Sequence, residues 1–288
     1  SEMSGKAEPD MVTTPFETDM EFSSYETDRI VQLKDENKLD ELFRMLFIKQ
    51  CNKLNEVLPE LFERTSDYTE FLLNISFTDS DGIVSHLVND IEEADFKEAV
   101  EIIGWMYQYY NEERKNEVIN IYKGTVKQED IPPATQLFTT DWVVRYMVDN
   151  SLGRYWLERN PDSSLAEKLT YFVSPKNGDV HYVDEKIKPE ELTFFDPCMG
   201  SGHILVYAFD VLMEIYRECG YVDRDAVQAI IENNLFGLDI DERAYQLAYF
   251  AVMMRACSYD KRFLTREVQP KVYPIYDYTK IHTTESED

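Results

Sequence analysis

The fold is decided by a stretch that begins TFFDPCMGSGH at 193–203 and closes LFGLDID at 235–241. The apolar run 192–195 predicts a strand buried on both faces, and the Asp-Pro pair after it ends the strand, because proline has no N–H for a sheet ladder. The glycines of GSG predict a tight turn, after which apolar residues repeat at helical spacing. A second strand then ends at Asp239. An acid at the carboxyl end of each of two strands predicts a ligand-binding crevice in an α/β sheet.

The pattern is typical of a pocket for an adenosine-bearing cofactor, most of all S-adenosylmethionine. A strand-end acid such as Asp239 can accept hydrogen bonds from two ribose hydroxyls. The free N–H groups where the helix starts suit an anionic group such as a carboxylate. A dinucleotide site fits less well, because G-x-G-x-x-G needs a third glycine where this chain has Leu205. A glycine-rich turn that only connects strand to helix is the remaining alternative.

Composition predicts a globular protein, since 43% of the 288 residues are hydrophobic. No apolar run approaches the roughly 20 residues needed to span a bilayer, so we expect no membrane partner. The four cysteines are scattered without a C-x-x-C pair, so neither a zinc site nor a disulfide framework is indicated. We therefore expect a cytoplasmic protein without a metal site.

The charge argues against strong nucleic-acid binding by this chain alone. Lysine and arginine total 29 against 56 aspartates and glutamates, a formal net charge of −27. Nucleic-acid binders normally present a basic footprint that replaces the counterions of the phosphates. Any nucleic-acid role therefore requires basic surface from elsewhere.

The order of patterns predicts three regions. Residues 1–26 are polar and acidic and predict a flexible tail, and 27–130 show only helical periodicity, which predicts an all-α domain of about five helices. Residues 131–288 carry the strand and turn signals. Within them a hairpin is predicted over 172–183, and the run 271–278, interrupted by proline, is a poor strand candidate.

Three motifs together resemble the gamma-type N6-adenine DNA methyltransferases, most of all the large single-chain restriction–modification enzymes and the related methyltransferases of BREX phage-exclusion systems. These are QLFTTDWVVRYMVDNSLG at 136–153, DPCMGSGH at 196–203 and GLDIDERA at 237–244. The first is similar to the cofactor-binding helix of that family, the second to its D-P-x-x-G-S-G motif and the third to its second acidic motif. The resemblance implies an α/β fold in which an all-α N-terminal region precedes an incomplete Rossmann-like sheet that binds S-adenosylmethionine.

The resemblance also implies a role for each matching residue. Phe138 and Thr139 hold the carboxylate end of the cofactor, although Thr140 stands where the family commonly has proline. Asp239 takes the ribose hydroxyls. The implied cofactor contacts are Phe138, Thr139, Asp196, Pro197, Gly200, Gly202, Asp239 and Ile240. Asp196 and Gly200 border the methionine end, Gly202 forms the backbone turn and Ile240 lies against the adenine.

One departure from the family decides the expected activity. The catalytic motif of the family is Asn-Pro-Pro followed by an aromatic residue, and this chain contains no Asn-Pro-Pro. We therefore expect an inactive N-terminal fragment without catalytic residues, whose parent contacts DNA through the missing C-terminal region. An unfinished sheet would leave an exposed edge prone to self-association. A non-catalytic cofactor-binding or scaffold protein, and an RNA or protein methyltransferase, are the alternatives.

Overall fold

The computed structural model describes residues 21–62, 75–92, 102–121, 127, 130, 131, 134, 139–175 and 181–276. The chain divides into two compact units, Ser1–Glu98 and Ala99–Asp288. Each unit is described below by itself. The domain boundary predicted near residue 130 stays a prediction.

The described part of the first unit is helical. Its helices are α1 Ser24–Asp35, α2 Leu39–Leu54 and α3 Ile83–Asn89. A capping box begins α1, in which the Ser23 hydroxyl accepts from the Glu26 N–H and the Glu26 carboxylate accepts from the Ser23 N–H. Residues 1–20 of the predicted tail lie outside the described residues. Residues 24–26, the end of the predicted tail, form the first turn of α1, so the predicted tail extends too far.

The first unit is held together by apolar packing between α1 and α2. Leu33, Leu42 and Leu46 are buried and form one cluster. Beside it, the Asp40 carboxylate accepts hydrogen bonds from the N–H groups of Phe77 and Thr78, at 2.8 and 3.0 Å. These bonds fix the segment before α3 against α2.

The second unit combines helices with a small sheet. Its elements in chain order are α4 Ile102–Ile121, α5 Asp141–Val148, α6 Arg154–Arg159, β1 Phe194–Asp196, α7 His203–Glu218, α8 Asp223–Ala229, β2 Leu235–Asp239, α9 Glu242–Tyr259 and β3 Lys271–Pro274. Wider π-helical turns follow α5 and α8, over Asp149–Gly153 and Ile230–Asn234. The α/β class predicted from the sequence is confirmed at this level.

The three strands are parallel, and β2 is the central one. Asp196 pairs with Gly237 across β1 and β2, and Asp239 pairs with Pro274 across β2 and β3. The connecting helices α7 and α9 pack against the sheet and against each other. A Cβ on Gly237 would lie 2.9 Å from the Leu205 side chain, so α7 covers the face of the sheet on which Gly237 lies.

The opposite face of the sheet is partly bare. Phe195 and Tyr273 are on this face, and their side chains are 53% and 55% exposed. The prediction that the first strand is buried on both faces is therefore wrong. Its hydrophobic run is real, but only alternate residues of β1 face the helices.

Two further predictions in this unit are corrected. The run 271–278 was a poor strand candidate because of its prolines, yet Lys271–Pro274 forms β3 and the Ile275 N–H still donates to the Asp239 carbonyl at 2.7 Å. The predicted hairpin over 172–183 is wrong for its described flanks, which contain no strand. The Val183 N–H donates to the carbonyl of Glu158 at the end of α6, so helix groups replace the expected partner strand.

Candidate functional site

The two predicted acids lie at the same edge of the sheet. Asp196 is the last residue of β1, and Asp239 is the last residue of β2, two positions beyond the Gly237 that pairs with Asp196. Because the strands are parallel, both carboxyl groups lie at the edge of the sheet where each strand ends and the chain continues toward a helix. A loop of residues 197–202 leads from β1 into α7 at this edge, and we call it the glycine loop.

Asp239 fastens the glycine loop to the end of β2. Its Oδ2 accepts a hydrogen bond from the Gly200 N–H at 2.8 Å, and its Oδ1 accepts one from the Asp241 N–H at 2.8 Å. One residue earlier, the Met199 N–H donates to the carbonyl of Leu238 at 3.0 Å. The second strand-end acid is thus in direct contact with the loop that follows the first.

Asp196 is in a different environment at the other end of the same loop. Its side chain is buried and its Oδ1 accepts from the Cys198 N–H at 3.0 Å, whereas its Oδ2 has no hydrogen-bond partner among the described residues. Burial raises the pKa of the Asp196 carboxyl above its ordinary value. The hydrogen bond from Cys198 opposes this rise, and the charge of Asp239 adds to it. A buried polar atom without a partner costs about 1–3 kcal/mol, so this carboxyl destabilises the folded chain.

The two glycines of the loop serve different purposes. Gly202 has φ +83°, and a Cβ there would lie 2.9 Å from Cα of Ala248 in α9, so the loop and α9 approach more closely than a side chain permits. Gly200 has φ +53°, and a Cβ there would meet no atom of the described residues within 4 Å. Gly202 therefore serves packing, whereas Gly200 borders open space and offers its N–H to Asp239.

The loop ends at the N-terminus of α7. Gly202 is the N-cap, and no side chain within the described ranges caps this helix. The first N–H groups of an uncapped helix lack acceptors within the helix and suit an anionic group. The first helical residue is His203, whose Nδ1 is buried and has no hydrogen-bond partner in the part of the chain that the structure describes.

The remaining predicted residues are placed as follows. Pro197 is exposed at the start of the loop, and Ile240, which is 52% exposed, directly follows Asp239. Thr139 is half-buried just before α5, a helix that packs against α7, and it makes no hydrogen bond to the glycine loop within the described ranges. Phe138 lies outside the described residues. The structure thus brings together the residues of the two strand-end motifs.

Two polar residues of this region were missed by sequence reasoning. The Asp241 carboxylate accepts from the Arg243 N–H as the cap of α9, and it also accepts from the Tyr107 hydroxyl of α4 at 2.9 Å. Its place just before a helix signals the cap, but nothing in the sequence signals Tyr107. Asp149 is fully buried and accepts from the Tyr207 hydroxyl and the Tyr171 N–H, both at 2.8 Å.

Metal-binding clusters and membrane-spanning helices are both absent from the described ranges. No group of three or more His, Cys, Asp or Glu residues there is arranged to hold a metal ion. No helix in those ranges is both long enough and apolar enough to cross a bilayer.

Comparison with known proteins identifies relatives over nearly the whole chain. The adenine-specific methyltransferase PglX of Lacticaseibacillus casei is 42% identical over 93% of this chain, and the adenine-specific methyltransferase BrxX of Escherichia coli is 44% identical over 86% of it. The chain is a homologue of one segment of these methyltransferases. It spans 24% of the length of PglX and 21% of the length of BrxX. No protein-family profile matches the chain.

The homologous segment includes the candidate site. The alignment with PglX covers 93% of the chain, and Asp241 lies 47 residues (288 − 241) before the end of the chain. The unaligned part is shorter than this distance, so both strand-end motifs lie within the alignment. A more distant protein of Methanocaldococcus jannaschii, whose name combines a type II restriction enzyme with a methyltransferase, is 24% identical over 60% of the chain.

Proposed function

We propose that this chain is the cofactor-binding portion of a site-specific DNA adenine-N6 methyltransferase of the restriction–modification or phage-defence kind. It binds S-adenosylmethionine at the edge where β1 and β2 end. The hydrogen bond from the Gly200 N–H to the Asp239 carboxylate carries the proposal, because it joins the two motifs into one site. The 42–44% identity to PglX and BrxX supports the choice of methyl transfer.

The residues at this edge fit such a cofactor. Each oxygen of Asp239 accepts one backbone hydrogen bond and keeps a further lone pair for a ribose hydroxyl. The open space at Gly200 lets a ligand approach the backbone. The exposed side chain of Ile240 offers apolar surface beside Asp239 for an adenine ring.

Each residue then has a defined task in holding the cofactor. Bound S-adenosylmethionine supplies an activated methyl group on a positively charged sulfur. Asp239 orients the ribose, and Asp196 and Gly200 border the methionine end. Gly202 and Pro197 shape the turn, while Thr139 and Phe138 hold the carboxylate. No residue of this chain is assigned to the proton or methyl transfer itself.

The wider assignment covers the rest of the molecule. We propose an acidic tail that ends where α1 begins at Ser24, a helical domain up to residue 130 and the first half of a cytoplasmic methyltransferase domain, with a Rossmann-like sheet, over 131–288. DNA is contacted by other parts of a longer polypeptide, in keeping with the net charge of −27. The outer edges of β1 and β3 are unpaired among the described residues and are the candidate sites of the proposed self-association.

A non-catalytic cofactor-binding or scaffold protein is the second candidate, favoured by the absence of Asn-Pro-Pro from the sequence. The two candidates differ in the parent gene. A downstream Asn-Pro-Pro-aromatic segment that restores methyl transfer when it is included supports the methyltransferase. A gene without such a segment supports the scaffold.

Cofactor binding is tested by titrating the ¹⁵N-labelled chain with S-adenosylmethionine. NMR titration measures affinities down to the millimolar range, which suits an incomplete pocket. We expect amide shifts at Gly200, Gly202 and Ile240 and none with NAD. Shifts with both ligands, or shifts confined to other parts of the chain, would contradict the proposed site.

Catalysis is tested by incubating the chain with unmethylated DNA and S-adenosylmethionine carrying a tritiated methyl group. We expect no labelled DNA, because the chain lacks the motif that holds the target adenine. Label on adenine N6 would show that this segment is a complete catalyst and overturn the proposed division of the enzyme.

A further inference from the structure

Two buried polar atoms without partners lie at the two ends of the glycine loop. They are Oδ2 of Asp196, just before the loop, and Nδ1 of His203, just after it. Of the described residues, only five have a buried side-chain nitrogen or oxygen without a hydrogen bond. Two of these five flank the same short loop. Folded proteins satisfy nearly all buried polar atoms, so each exception calls for an explanation, such as strain, a catalytic role or a bound water or ion.

Asp196 makes the stronger case of the two. Its side chain is only 9% exposed, and one of its oxygens is already used by the Cys198 N–H. The other oxygen is an acceptor when the carboxyl is ionised, and no donor of the described residues reaches it. A donor supplied by a ligand would remove this unfavourable interaction.

His203 supplies the second of the two atoms. It is the first residue of α7, next to Gly202, whose close packing on Ala248 fixes where the helix begins. In a neutral imidazole one ring nitrogen donates and the other accepts. With the proton on Nε2, Nδ1 of His203 is an acceptor that, like Oδ2 of Asp196, lacks a donor.

The charge of the site decides which ligand group fits. Both strand ends carry a carboxylate, and no lysine or arginine occurs from 192 to 216. An anionic group beside Asp196 would be repelled, whereas an ammonium has a positive charge and three N–H donors. Burial and the neighbouring Asp239 raise the pKa of Asp196, and a cation would relieve this.

We infer that His203 is a cofactor-binding residue whose Nδ1, together with Oδ2 of Asp196, accepts hydrogen bonds from the α-ammonium group of the amino-acid part of the cofactor. His203 thereby selects S-adenosyl ligands that carry a free amino group over nucleosides that lack one. This inference rests on the proposed function, since it assigns one more contact in the same pocket.

The test compares two ligands that differ in the amino-acid part. S-adenosylhomocysteine carries the α-ammonium group, and 5′-methylthioadenosine keeps the adenosine and sulfur but lacks it. Dissociation constants are measured by NMR titration of the chain and of His203→Leu. We expect His203→Leu to weaken S-adenosylhomocysteine about tenfold, the loss typical of a hydrogen bond to a charged group, and to change 5′-methylthioadenosine less than twofold.

Two further variants act as controls. His203→Asn places an amide oxygen close to the position of Nδ1 and should restore most of the lost affinity. His181→Leu removes an exposed histidine of the same unit and should change neither ligand. Equal weakening of both ligands by His203→Leu would indicate a merely structural role and overturn the inference.

The remaining outcomes separate this inference from the proposed function. If the unmodified chain binds neither ligand, the proposed function fails and the inference fails with it. If it binds both and His203→Leu leaves both unchanged, only the inference fails.

A second measurement does not depend on the fold of a variant. In the ¹⁵N-histidine-labelled chain, long-range ¹⁵N–¹H spectra identify the tautomer of His203. We expect the proton on Nε2 and a shift of Nδ1 with S-adenosylhomocysteine but not with 5′-methylthioadenosine. A proton on Nδ1 would make this atom a donor and overturn the inference.

Discussion

The ends of β1 and β2 carry the same residue type at the same edge of the sheet, yet their surroundings are opposite. Asp196 is buried, has an oxygen without a partner and has a raised pKa. Asp239 is half-buried, and both of its oxygens accept backbone N–H groups. The comparison shows that two strand-end acids are not interchangeable. Asp239 organises the glycine loop, whereas Asp196 carries an unfavourable interaction that a ligand can relieve.

The largest expected effect is that of Asp239→Ala on ligand binding. The substitution removes the acceptor of the ribose hydroxyls and frees the Gly200 N–H at once. Loss of two hydrogen bonds to a charged group costs about 3 kcal/mol, so we expect affinity for S-adenosylhomocysteine to fall about 100-fold in NMR titration. Asp184→Ala removes an exposed acid of the same unit and is the matched control. If Asp239→Ala binds S-adenosylhomocysteine within threefold of the affinity of the original chain, the role given to Asp239 is wrong.

The next effect is on the free energy of unfolding, and it tests the packing of the glycine loop against α9 rather than its hydrogen bond to Asp239. Gly202 and Gly220 have nearly equal φ, +83° and +85°, but only a Cβ at Gly202 meets the backbone of Ala248. We expect Gly220→Ala to lower the free energy of unfolding by about 1 kcal/mol through the left-handed backbone alone. Gly202→Ala should cost about 3 kcal/mol, because α9 must also shift.

Urea unfolding followed by tryptophan fluorescence measures both glycine variants. All three tryptophans, Trp105, Trp142 and Trp156, belong to the second unit, so the signal reports on the unit that contains the loop. Equal losses for the two variants would mean that the close approach to Ala248 does not matter for the loop.

The smallest effect concerns the stability contributed by Asp196. Because its pKa is raised in the folded chain, the unfolded chain ionises first, and stability falls as the pH rises through the ordinary Asp pKa toward the raised value. Asp196→Asn cannot ionise, so we expect it to be more stable by about 1 kcal/mol at pH 7. The gain should vanish in acid, below the ordinary Asp pKa.

Thermal unfolding at a series of pH values checks this sign. For a unit of this size 1 kcal/mol corresponds to roughly 2–4 °C in Tm. A variant that is less stable at pH 7, or a difference that does not change with pH, would show that Asp196 resembles Asp239 after all.

The parts of the site that follow from local signals could be predicted from the sequence. The Asp-Pro end of β1, the two glycines and the apolar face of α7 each have a short-range cause, and all are present. The environments of the acids could not be predicted in this way. The burial of Asp196 arises from tertiary packing, in which α7 contacts β1, and the bond between Gly200 and Asp239 joins residues 39 positions apart.

The errors also have physical causes. β3 was undervalued because prolines usually exclude a strand, but Pro274 stands at its last position, where the next residue supplies the N–H. The hairpin was expected from a turn-like sequence, but the N–H of Val173 donates to Asn150 instead of to a second strand. Phe195 was expected inside because a hydrophobic run does not state how many layers cover a sheet.

The bond from Tyr107 to Asp241 has a practical consequence for anyone who shortens this protein. Asp241 is two residues from Asp239. Its carboxylate accepts a hydrogen bond from the hydroxyl of Tyr107, which lies 134 residues earlier in the chain. A polypeptide started at residue 131 would lack that tyrosine and leave the cap of α9 without one of its donors. One started at residue 99 would keep α4 and its contact with α9, and is the better choice for crystallisation or for NMR.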